Sequence, residues 1–397
     1  MKQVKIIDVR AYVLEQPGSG GDYHDREQGH WLVDTLIATP MSAYPEYKQS
    51  RTSFGINEMK SIVVEIETSD GLVGISTGQG GAPACYIIEQ HFRRFIVGQD
   101  PRNLNRIWDQ MFWASRYYGG KGLPLWAISA VDLALWDLLG LLRQEPVYKM
   151  IGGAVREEIE LYCTGIRPDV AKEAGFIGGK MPITHSPADR QEGLNANVEH
   201  FREMRDRVGP DFQLMADCWM SLDVPYAVEL AYALREIGVY WLEEALHPDD
   251  FDGYKLLKER VPWMRWTSGE HEYTRYEFRK LIESRSVDII QPDVMWCGGL
   301  TELLRISAMA AAYDIPVVPH GSGAYSYHFI ITQPHCPFCE YLNTSEDCLS
   351  FPPVFGNMFK NEILPQNGKI KLTDDPGWGL KLDRSDLKLN RIFASTE

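Results

Sequence analysis

The chain contains 397 residues, 44% of them hydrophobic and 24% charged, which is enough to bury the cores of two or three domains. Its formal net charge of −15 argues against nucleic acid and anionic membrane surfaces as partners. No apolar run approaches the length of a membrane span, and the N-terminal sequence, MKQVKIIDVRAYVLE, has the pattern of a strand rather than of a signal peptide. We therefore expect a cytoplasmic protein.

The first part of the chain has the pattern of an antiparallel α+β domain, which we expect to cover residues 1–125. Two of its strands form a predicted hairpin with the turn at Asp70 and Gly71. The predicted strands are residues 4–14, 59–68 and 72–78. The predicted helices are residues 84–97 and 103–114.

A long irregular segment, residues 16–57, separates the first two predicted strands. Loops of this length inside a compact domain are usually functional or disordered. The segment contains aromatic, His and Arg residues, a mixture that is unusual for a disordered segment. We therefore predict that it forms a lid over the mouth of the second domain.

From about residue 155 onwards, strand and helix patterns alternate, which predicts parallel strands joined by helices. The predicted strands are residues 159–164, 176–181, 212–217, 239–244, 264–270, 286–293, 315–320 and 339–343. The predicted helices include residues 223–237, 251–260, 275–284 and 299–313. With a further helix at 126–142 entering the ring, this α/β pattern predicts a modified TIM-type barrel over residues 126–343. The final segment, 344–397, is expected to return to the N-terminal capping domain.

The seven cysteines are odd in number and suggest no disulfide framework, which fits a reducing compartment. Cys336 and Cys339 form a Cys-x-x-Cys pair, but this pair lies late in the predicted barrel instead of opening a helix after a first strand. The nearby His328 and His335 lack the spacing of a zinc finger. A redox or zinc function is therefore the weaker interpretation of this pair.

Three acidic residues, Asp217, Glu243 and Glu270, stand at the ends of consecutive predicted strands, 26 and 27 residues apart. The ends of neighbouring parallel strands meet at the barrel mouth, where such barrels keep their active sites. Three oxygen ligands without Cys or His suit Mg²⁺. Each carboxylate could instead cap the following helix, but the common position of all three disfavours that alternative. The spacing therefore predicts a magnesium site.

The next two predicted strands end at Asp293 and His320. An Asp and a His at adjacent strand ends can form a hydrogen bond that fixes the imidazole tautomer and raises its basicity. Beside Mg²⁺, such a pair can remove a proton α to a carboxylate while the metal stabilises the enediolate. A loop histidine bound only to backbone is the alternative for His320, and its place one barrel unit beyond Asp293 disfavours it.

Residues 127–153, AISAVDLALWDLLGLLRQEPVYKMIGG, resemble the signature helix of the mandelate racemase subgroup of the enolase superfamily. This resemblance implies a (β/α)7β barrel with an N-terminal α+β capping domain. More narrowly, the chain is similar to the L-rhamnonate dehydratases over nearly its full length. Segments that carry this similarity include GGDYHD (20–25), TSGEH (267–271) and VVPHGSGAYSYH (317–328).

The resemblance implies that the three carboxylates bind Mg²⁺ and that His320, supported by Asp293, abstracts the proton. It also implies that His24 and Arg51 of the lid, Glu340 near the end of the eighth barrel strand, and His320 itself bind the substrate. Arg51 fits this role on chemical grounds because a guanidinium binds a carboxylate or a polyol at two points. Taken alone, His24 and Arg51 would be ordinary surface residues.

The chain departs from the wider subgroup at the second barrel strand. Many members carry Lys-x-Lys there, and the second Lys acts as a base opposite the His; here Lys180 is followed by Met181 and Pro182. The departure argues against two-base racemisation and favours syn β-elimination, in which His320 takes the α-proton and returns it to the departing 3-hydroxyl. Lys180 and His271 are further candidates for substrate contact.

The resemblance implies the Mg²⁺-dependent dehydration of L-rhamnonate to 2-keto-3-deoxy-L-rhamnonate. One alternative is the same reaction on another aldonate, such as L-lyxonate or L-mannonate. A second alternative is a catalytically silent relative, which the intact metal and base residues disfavour. The implied partner is a small acid sugar, and a homo-oligomer is expected because similar proteins usually form one.

Overall fold

The computed structural model describes residues 4–15, 29–48, 59–321, 323–385 and 387–394. These residues form a four-stranded antiparallel sheet and a barrel sheet of parallel strands. The fold is therefore the predicted one, a modified barrel with an N-terminal α+β capping domain. His24 and Arg51, together with most of the predicted lid, lie outside the described residues.

The described strands and helices are numbered in chain order. The strands are β1 (Ile6–Leu14), β2 (Ser61–Thr68), β3 (Val73–Gln79), β4 (Ile159–Thr164), β5 (Gly178–Pro182), β6 (Gln213–Asp217), β7 (Leu242–Glu243), β8 (Trp266–Ser268), β9 (Ile289–Ile290), β10 (Cys339–Leu342), β11 (Lys369–Ile370) and β12 (Leu389–Asn390). The α-helices are α1 (Trp31–Asp34), α2 (Gly81–Tyr86), α3 (Arg93–Ile96), α4 (Leu104–Ser115), α5 (Leu123–Arg143), α6 (Val147–Met150), α7 (Pro168–Glu173), α8 (Arg190–Val208), α9 (Val224–Leu234), α10 (Phe251–Arg260), α11 (Thr274–Ser284), α12 (Gly299–Ala311) and α13 (Gly323–Ile330). A π-helical turn, Ile87–Phe92, joins α2 to α3, and short 3₁₀ turns cover Pro40–Ala43, Pro45–Tyr47 and Pro187–Asp189.

The capping sheet has the strand order β12-β1-β2-β3 and is antiparallel throughout. The β2–β3 hairpin turns at the predicted position, where Gly71 has a φ of +86°. Helix α5 packs across the face of β3. A Cβ atom at Gly74 would lie 2.4 Å from the carbonyl oxygen of Ala134, so this close approach requires glycine in β3.

Helix α5 is long and apolar enough to cross a membrane, so the expectation that the chain contains no such run was wrong. Its most apolar window is 78% buried inside the protein, because β3 and α12 pack against it. Asp137 of this helix accepts hydrogen bonds from the backbone N–H groups of Ile75 and Trp378. We therefore describe α5 as a core helix that connects the capping sheet to the barrel.

The barrel sheet has the order β10-β4-β5-β6-β7-β8-β9, with all of these strands parallel. The predicted strand at 315–320 is not a regular strand. Its pairing with β9 and with the residues that follow β9 consists of two isolated bridges, Val317 to Ile290 and His320 to Asp293. Pro316 lies within the segment and has no backbone N–H to donate to a ladder. The bridge at its end still places His320 beside Asp293.

Strands β7 and β8 are shorter than the sequence pattern predicted, and the backbone turns sharply directly after each of them. Glu244 follows β7 with a φ of +43°, and Gly269 follows β8 with a φ of +141°. Such conformations lie outside the strand region of φ/ψ space. Side chains just beyond these turns are therefore oriented by loop geometry and not by the alternation of a strand.

The described part of the predicted lid packs on the same end of the barrel at which the strands finish. Trp31 of α1 donates its indole N–H to the carbonyl oxygen of Asn343, just after β10, at 3.0 Å. The backbone N–H of Ala38 donates to the carbonyl oxygen of Ile183, just after β5, at 2.9 Å. Both ends of this segment lead into residues outside the described ranges.

The C-terminal segment runs over both sheets. Strand β11 pairs with the barrel strand β4, and β12 pairs with β1 of the capping sheet. Between them, buried Trp378 donates its indole N–H to the carbonyl oxygen of Leu133 in α5 and packs against Tyr325 and His328 of α13. One side chain thus joins helix α5, which packs on the capping sheet, to helix α13 of the barrel.

Replacing Trp378 with Ala should lower the free energy of unfolding by about 3–5 kcal/mol, because a large buried ring and its hydrogen bond are lost. Trp113→Ala is the matched control: Trp113 is 59% exposed, and its removal should cost about 0.5 kcal/mol. Urea denaturation followed by circular dichroism measures both changes. Equal stabilities of the two variants would contradict the linking role of Trp378.

Candidate active site

Eight of the ten predicted site residues lie in the described structure, within barrel strands, at their C-terminal ends or in the segments that follow. They are Lys180, Asp217, Glu243, Glu270, His271, Asp293, His320 and Glu340. The parallel register places Asp217 of β6 directly opposite Glu243 of β7. The other two, His24 and Arg51, lie outside the described residues.

Lys180 forms the centre of the carboxylate cluster. Its side chain is buried, and its ammonium Nζ forms ion pairs with Glu243, with Glu340 at 3.0 Å and with Asp217 at 3.4 Å. Although burial alone would lower it, these three carboxylates raise the pKa of Lys180 well above its ordinary value. The lysine therefore stays charged and holds carboxylates from three strands around one point.

Burial disfavours the charged form of two of the clustered carboxylates, Glu243 and Glu270. Burial, reinforced by Asp217 and Glu340, raises the pKa of Glu243 well above its ordinary value, although Lys180 opposes the shift. Burial also raises the pKa of Glu270 to about 7. A divalent cation would favour the charged forms of such groups. These buried oxygen donors, whose charged forms a cation would stabilise, therefore fit Mg²⁺.

Glu340 differs from the other two because its negative charge is well stabilised. It accepts hydrogen bonds from the Thr164 hydroxyl and from the backbone N–H of Gly321 at 2.6 Å. Burial acts to raise the pKa of Glu340, but Lys180, His320 and the Thr164 hydrogen bond lower it to about 2. Glu340 therefore stays ionised without needing a metal.

The predicted His–Asp pair is present. Nδ1 of His320 donates a hydrogen bond to Oδ2 of Asp293 at 2.8 Å, and Nε2 lies 3.4 Å from Oε2 of Glu270. Burial would lower the pKa of His320, but the charges of Glu270, Glu340 and Asp293 raise it well above its ordinary value. The pair therefore aims the second imidazole nitrogen at the carboxylate cluster.

Sequence reasoning missed several residues that complete the cluster. Gln291 donates its side-chain amide to Oε2 of Glu243 at 2.6 Å, and Thr164 binds Glu340 from the neighbouring strand. Glu244, a buried residue, accepts a hydrogen bond from Nδ1 of His271 at 2.9 Å. Gln291 lies two residues before the predicted Asp293, and Glu244 directly follows Glu243. Their positions near predicted strand ends could have identified them as site residues.

A second group of donor atoms overlaps the predicted metal ligands at Glu270. Single donor atoms of Glu244, Glu270 and His271 lie within 4.8 Å of one another. In this group His271 and Glu244 are hydrogen-bonded to each other, and a ring nitrogen is a poorer partner than oxygen for Mg²⁺. The all-oxygen set of Asp217, Glu243 and Glu270 is the better chemical match to that ion.

Comparison with known protein families agrees with this architecture. Residues 34–152 match the family model described as mandelate racemase / muconate lactonizing enzyme, N-terminal domain, and residues 168–386 match the model described as enolase C-terminal domain-like. The chain belongs to the mandelate racemase / muconate lactonizing enzyme family of the enolase superfamily. The resemblance seen in the sequence is therefore confirmed.

Within this family, two similar proteins share its full length. An L-rhamnonate dehydratase from Saccharopolyspora erythraea is 54% identical over 391 residues, which are 98% of this chain and 99% of that protein. The crystal structure of rhamnonate dehydratase from Gibberella zeae complexed with Mg is 54% identical and has a TM-score of 0.95, covering 98% of this chain and 97% of that one.

A more distant family member has the same fold with another name. The 3,6-anhydro-D-galactonate cycloisomerase from Zobellia galactanivorans is 27% identical, with a TM-score of 0.77, and covers 97% of this chain and 99% of that one. The family thus contains enzymes with different names on one architecture. Function has to be argued from the residues of the site.

Lys180→Met should destabilise the metal-free protein by about 3 kcal/mol, because the variant leaves buried carboxylates without their cation. Added Mg²⁺ should recover part of the loss, since it can supply positive charge to the same oxygens. Lys255→Met, at an exposed position of α10, is the matched control and should change little. Thermal unfolding with EDTA and with Mg²⁺ measures both effects. If the Lys180→Met variant had the stability of the wild type, the carboxylate cluster would not depend on this lysine.

Proposed function

We propose that this chain is a Mg²⁺-dependent acid-sugar dehydratase that converts L-rhamnonate to 2-keto-3-deoxy-L-rhamnonate and water. The observation that carries the proposal is the His320–Asp293 pair, whose second nitrogen lies 3.4 Å from a carboxylate of the oxygen cluster. A base beside a cation site is the arrangement needed to remove a proton α to a carboxylate. The 54% identity to a full-length L-rhamnonate dehydratase supports the choice of substrate.

The proposed ligands of Mg²⁺ are Asp217, Glu243 and Glu270. The burial of Glu243 and Glu270, which raises their pKa values in the absence of a cation, supports this assignment, and the Gibberella zeae relative was solved complexed with Mg. When bound, Mg²⁺ supplies positive charge that stabilises the negative charge developing on the substrate carboxylate. Gln291 would orient Glu243 through its hydrogen bond, as residues around a metal site commonly do.

In the proposed reaction, His320 acts as the base and Asp293 as its support. Because Nδ1–H of His320 is held by Asp293, Nε2 is the nitrogen that accepts the proton from C2. The C3–O bond then breaks, and His320 returns the proton to the departing hydroxyl, which leaves as water. The enol product becomes the 2-keto acid by proton transfer to C3. One histidine therefore suffices, in agreement with the lack of a second lysine after Lys180.

Glu340 and Lys180 are proposed to contribute fixed charge near the reacting carbons. Glu340 stays ionised beside His320, so it favours the protonated imidazole that forms after proton abstraction. Lys180 keeps Glu340 and the proposed metal ligands Asp217 and Glu243 in place. We also propose that Lys180 contacts the substrate directly. His24 and Arg51 are proposed to bind the acid sugar from the lid.

The domain boundaries and the setting of the protein are also proposals. We assign residues 1–125 to the capping domain with its lid at 16–57, residues 126–343 to the barrel, and residues 344–397 to the segment that returns to the capping domain. We propose a cytoplasmic homo-oligomer whose partner is a small acid sugar rather than nucleic acid or a membrane. The seven free cysteines fit a reducing compartment.

Purified protein with Mg²⁺ should convert L-rhamnonate to a 2-keto acid, detected as the semicarbazone, and EDTA should abolish the reaction. L-lyxonate, L-mannonate and other aldonates are screened in parallel. Turnover of a different aldonate only would refute the proposed substrate but retain the chemistry. Lack of turnover across the set would refute the dehydratase and favour a silent relative.

His320→Asn should reduce kcat by about 10³-fold or more, because the variant lacks the proposed base. Exchange of the substrate's α-proton with deuterium from D₂O should be lost as well, while the circular dichroism spectrum stays unchanged. His247→Asn, at an exposed histidine, is the matched control. Substantial α-proton exchange by the His320 variant would remove this residue from the role.

A further inference from the structure

Two His–carboxylate pairs flank Glu270, and only one of them has a part in the reaction above. On one side, Nε2 of His320, the partner of Asp293, lies 3.4 Å from Oε2 of Glu270. On the other side, Nδ1 of His271 lies 3.5 Å from Oε1 of Glu270. The same Nδ1 lies 3.1 and 2.9 Å from the two carboxylate oxygens of Glu244. Glu270 thus lies between two histidines, each hydrogen-bonded to a further carboxylate.

Glu244 is held rigidly in this second pair. It is buried, its backbone N–H donates to the carbonyl oxygen of Thr267 at 2.9 Å, and its own carbonyl accepts from the N–H of Met220 at 2.6 Å. Its φ of +43° is uncommon for a residue with a side chain. Backbone strain of this kind persists where the surrounding structure imposes it, and it concentrates at functional sites. The loop therefore presents the Glu244 carboxylate to His271 in a fixed position.

His271 is oriented so that one ring nitrogen stays available. Nδ1–H of His271 is donated to Glu244, so Nε2 is the ring nitrogen that can bond to another group. Among the described residues, Nε2 has no hydrogen-bond partner. The side chain is 21% exposed, close to the 18% of His320, in a site that is otherwise mostly buried. Trp296 packs against both imidazoles, with ring centroids 5.5 and 5.4 Å away. One indole thus limits the rotation of both rings.

We propose that Nε2 of His271 binds a hydroxyl group of the acid sugar, and that Glu244 is the positioning residue that fixes the tautomer and orientation of His271. This inference rests on the proposed function and deepens it. A hydroxyl can donate to Nε2 or accept from it, so the contact suits a polyol chain. It would lie on the side of Glu270 opposite to His320, away from the nitrogen that moves the proton.

The contact would make His271 a determinant of specificity. A site that binds a substrate hydroxyl rejects an analogue in which that hydroxyl points elsewhere, because the site's polar group is then left unpaired. The α-proton transfer at His320 does not need this contact. Loss of His271 should therefore weaken discrimination between epimers at one carbon of the substrate more than it lowers the rate of proton transfer.

The test compares His271→Asn, Glu244→Gln and the double variant with the wild type, using L-rhamnonate and aldonates that differ from it at one hydroxyl-bearing carbon. Each single variant should lose about tenfold or more in kcat/KM for L-rhamnonate, mostly through KM. Discrimination against one of the epimers should shrink. The double variant should be no worse than His271→Asn, because Glu244 acts through His271. Additive losses, or unchanged epimer discrimination, would overturn the proposal.

Calorimetric titration with Mg²⁺ excludes the alternative that Glu244 and His271 belong to the metal centre. His271→Asn and Glu244→Gln should each bind Mg²⁺ with the affinity of the wild type, and weakened binding would overturn the proposal.

Glu89→Gln, which changes a buried carboxylate of the capping domain, is the matched control for loss of buried charge and should keep wild-type kinetics. An active wild type with a normal His271 variant refutes only this inference. A wild type inactive on every aldonate refutes the proposed function, and the inference falls with it.

Discussion

The arrangement of the barrel mouth depends on one buried ammonium group. Lys180 contacts Asp217, Glu243 and Glu340, which come from three different strands, and so determines where these carboxylates lie relative to one another. Removing a buried charge from its partners costs several kcal/mol, so this contact constrains the strand ends strongly. The carboxylates nevertheless differ: the pKa of Glu340 is lowered to about 2, whereas burial raises the pKa values of Glu243 and Glu270.

This difference gives each proposed role a physical basis. Glu243 and Glu270 are suited to a metal, because burial raises their pKa values and a bound cation would favour their charged forms. The well-compensated Glu340 is suited to a permanent negative charge near His320. Helix α5 connects the capping sheet to the barrel, and Trp378 bonds to this helix and packs against α13. Buried polar groups on a few strands and helices therefore both stabilise the fold and position the proposed site.

Positions along the chain could be predicted better than contacts between side chains. The interval between Asp217, Glu243 and Glu270 identified three neighbouring strand ends, because a βα unit has a nearly constant length. The pairing of Glu244 with His271 was not predicted, since it follows from a positive φ after β7 that no periodic pattern encodes. The segment before His320 was predicted as a strand from its apolar residues, although proline interrupts its pairing.

Helix α5 also has a consequence for how the chain folds as it is synthesised. The strands of the capping sheet that cover one face of this apolar helix precede it in the sequence, but α12 follows much later. Trp378, which bonds to Asp137 of the helix, lies 241 residues further on. N-terminal regions emerge from the ribosome first, so the newly made α5 exposes one apolar face until most of the chain is complete. Chaperone binding during translation would protect this face, and chains that end early would leave it open to aggregation.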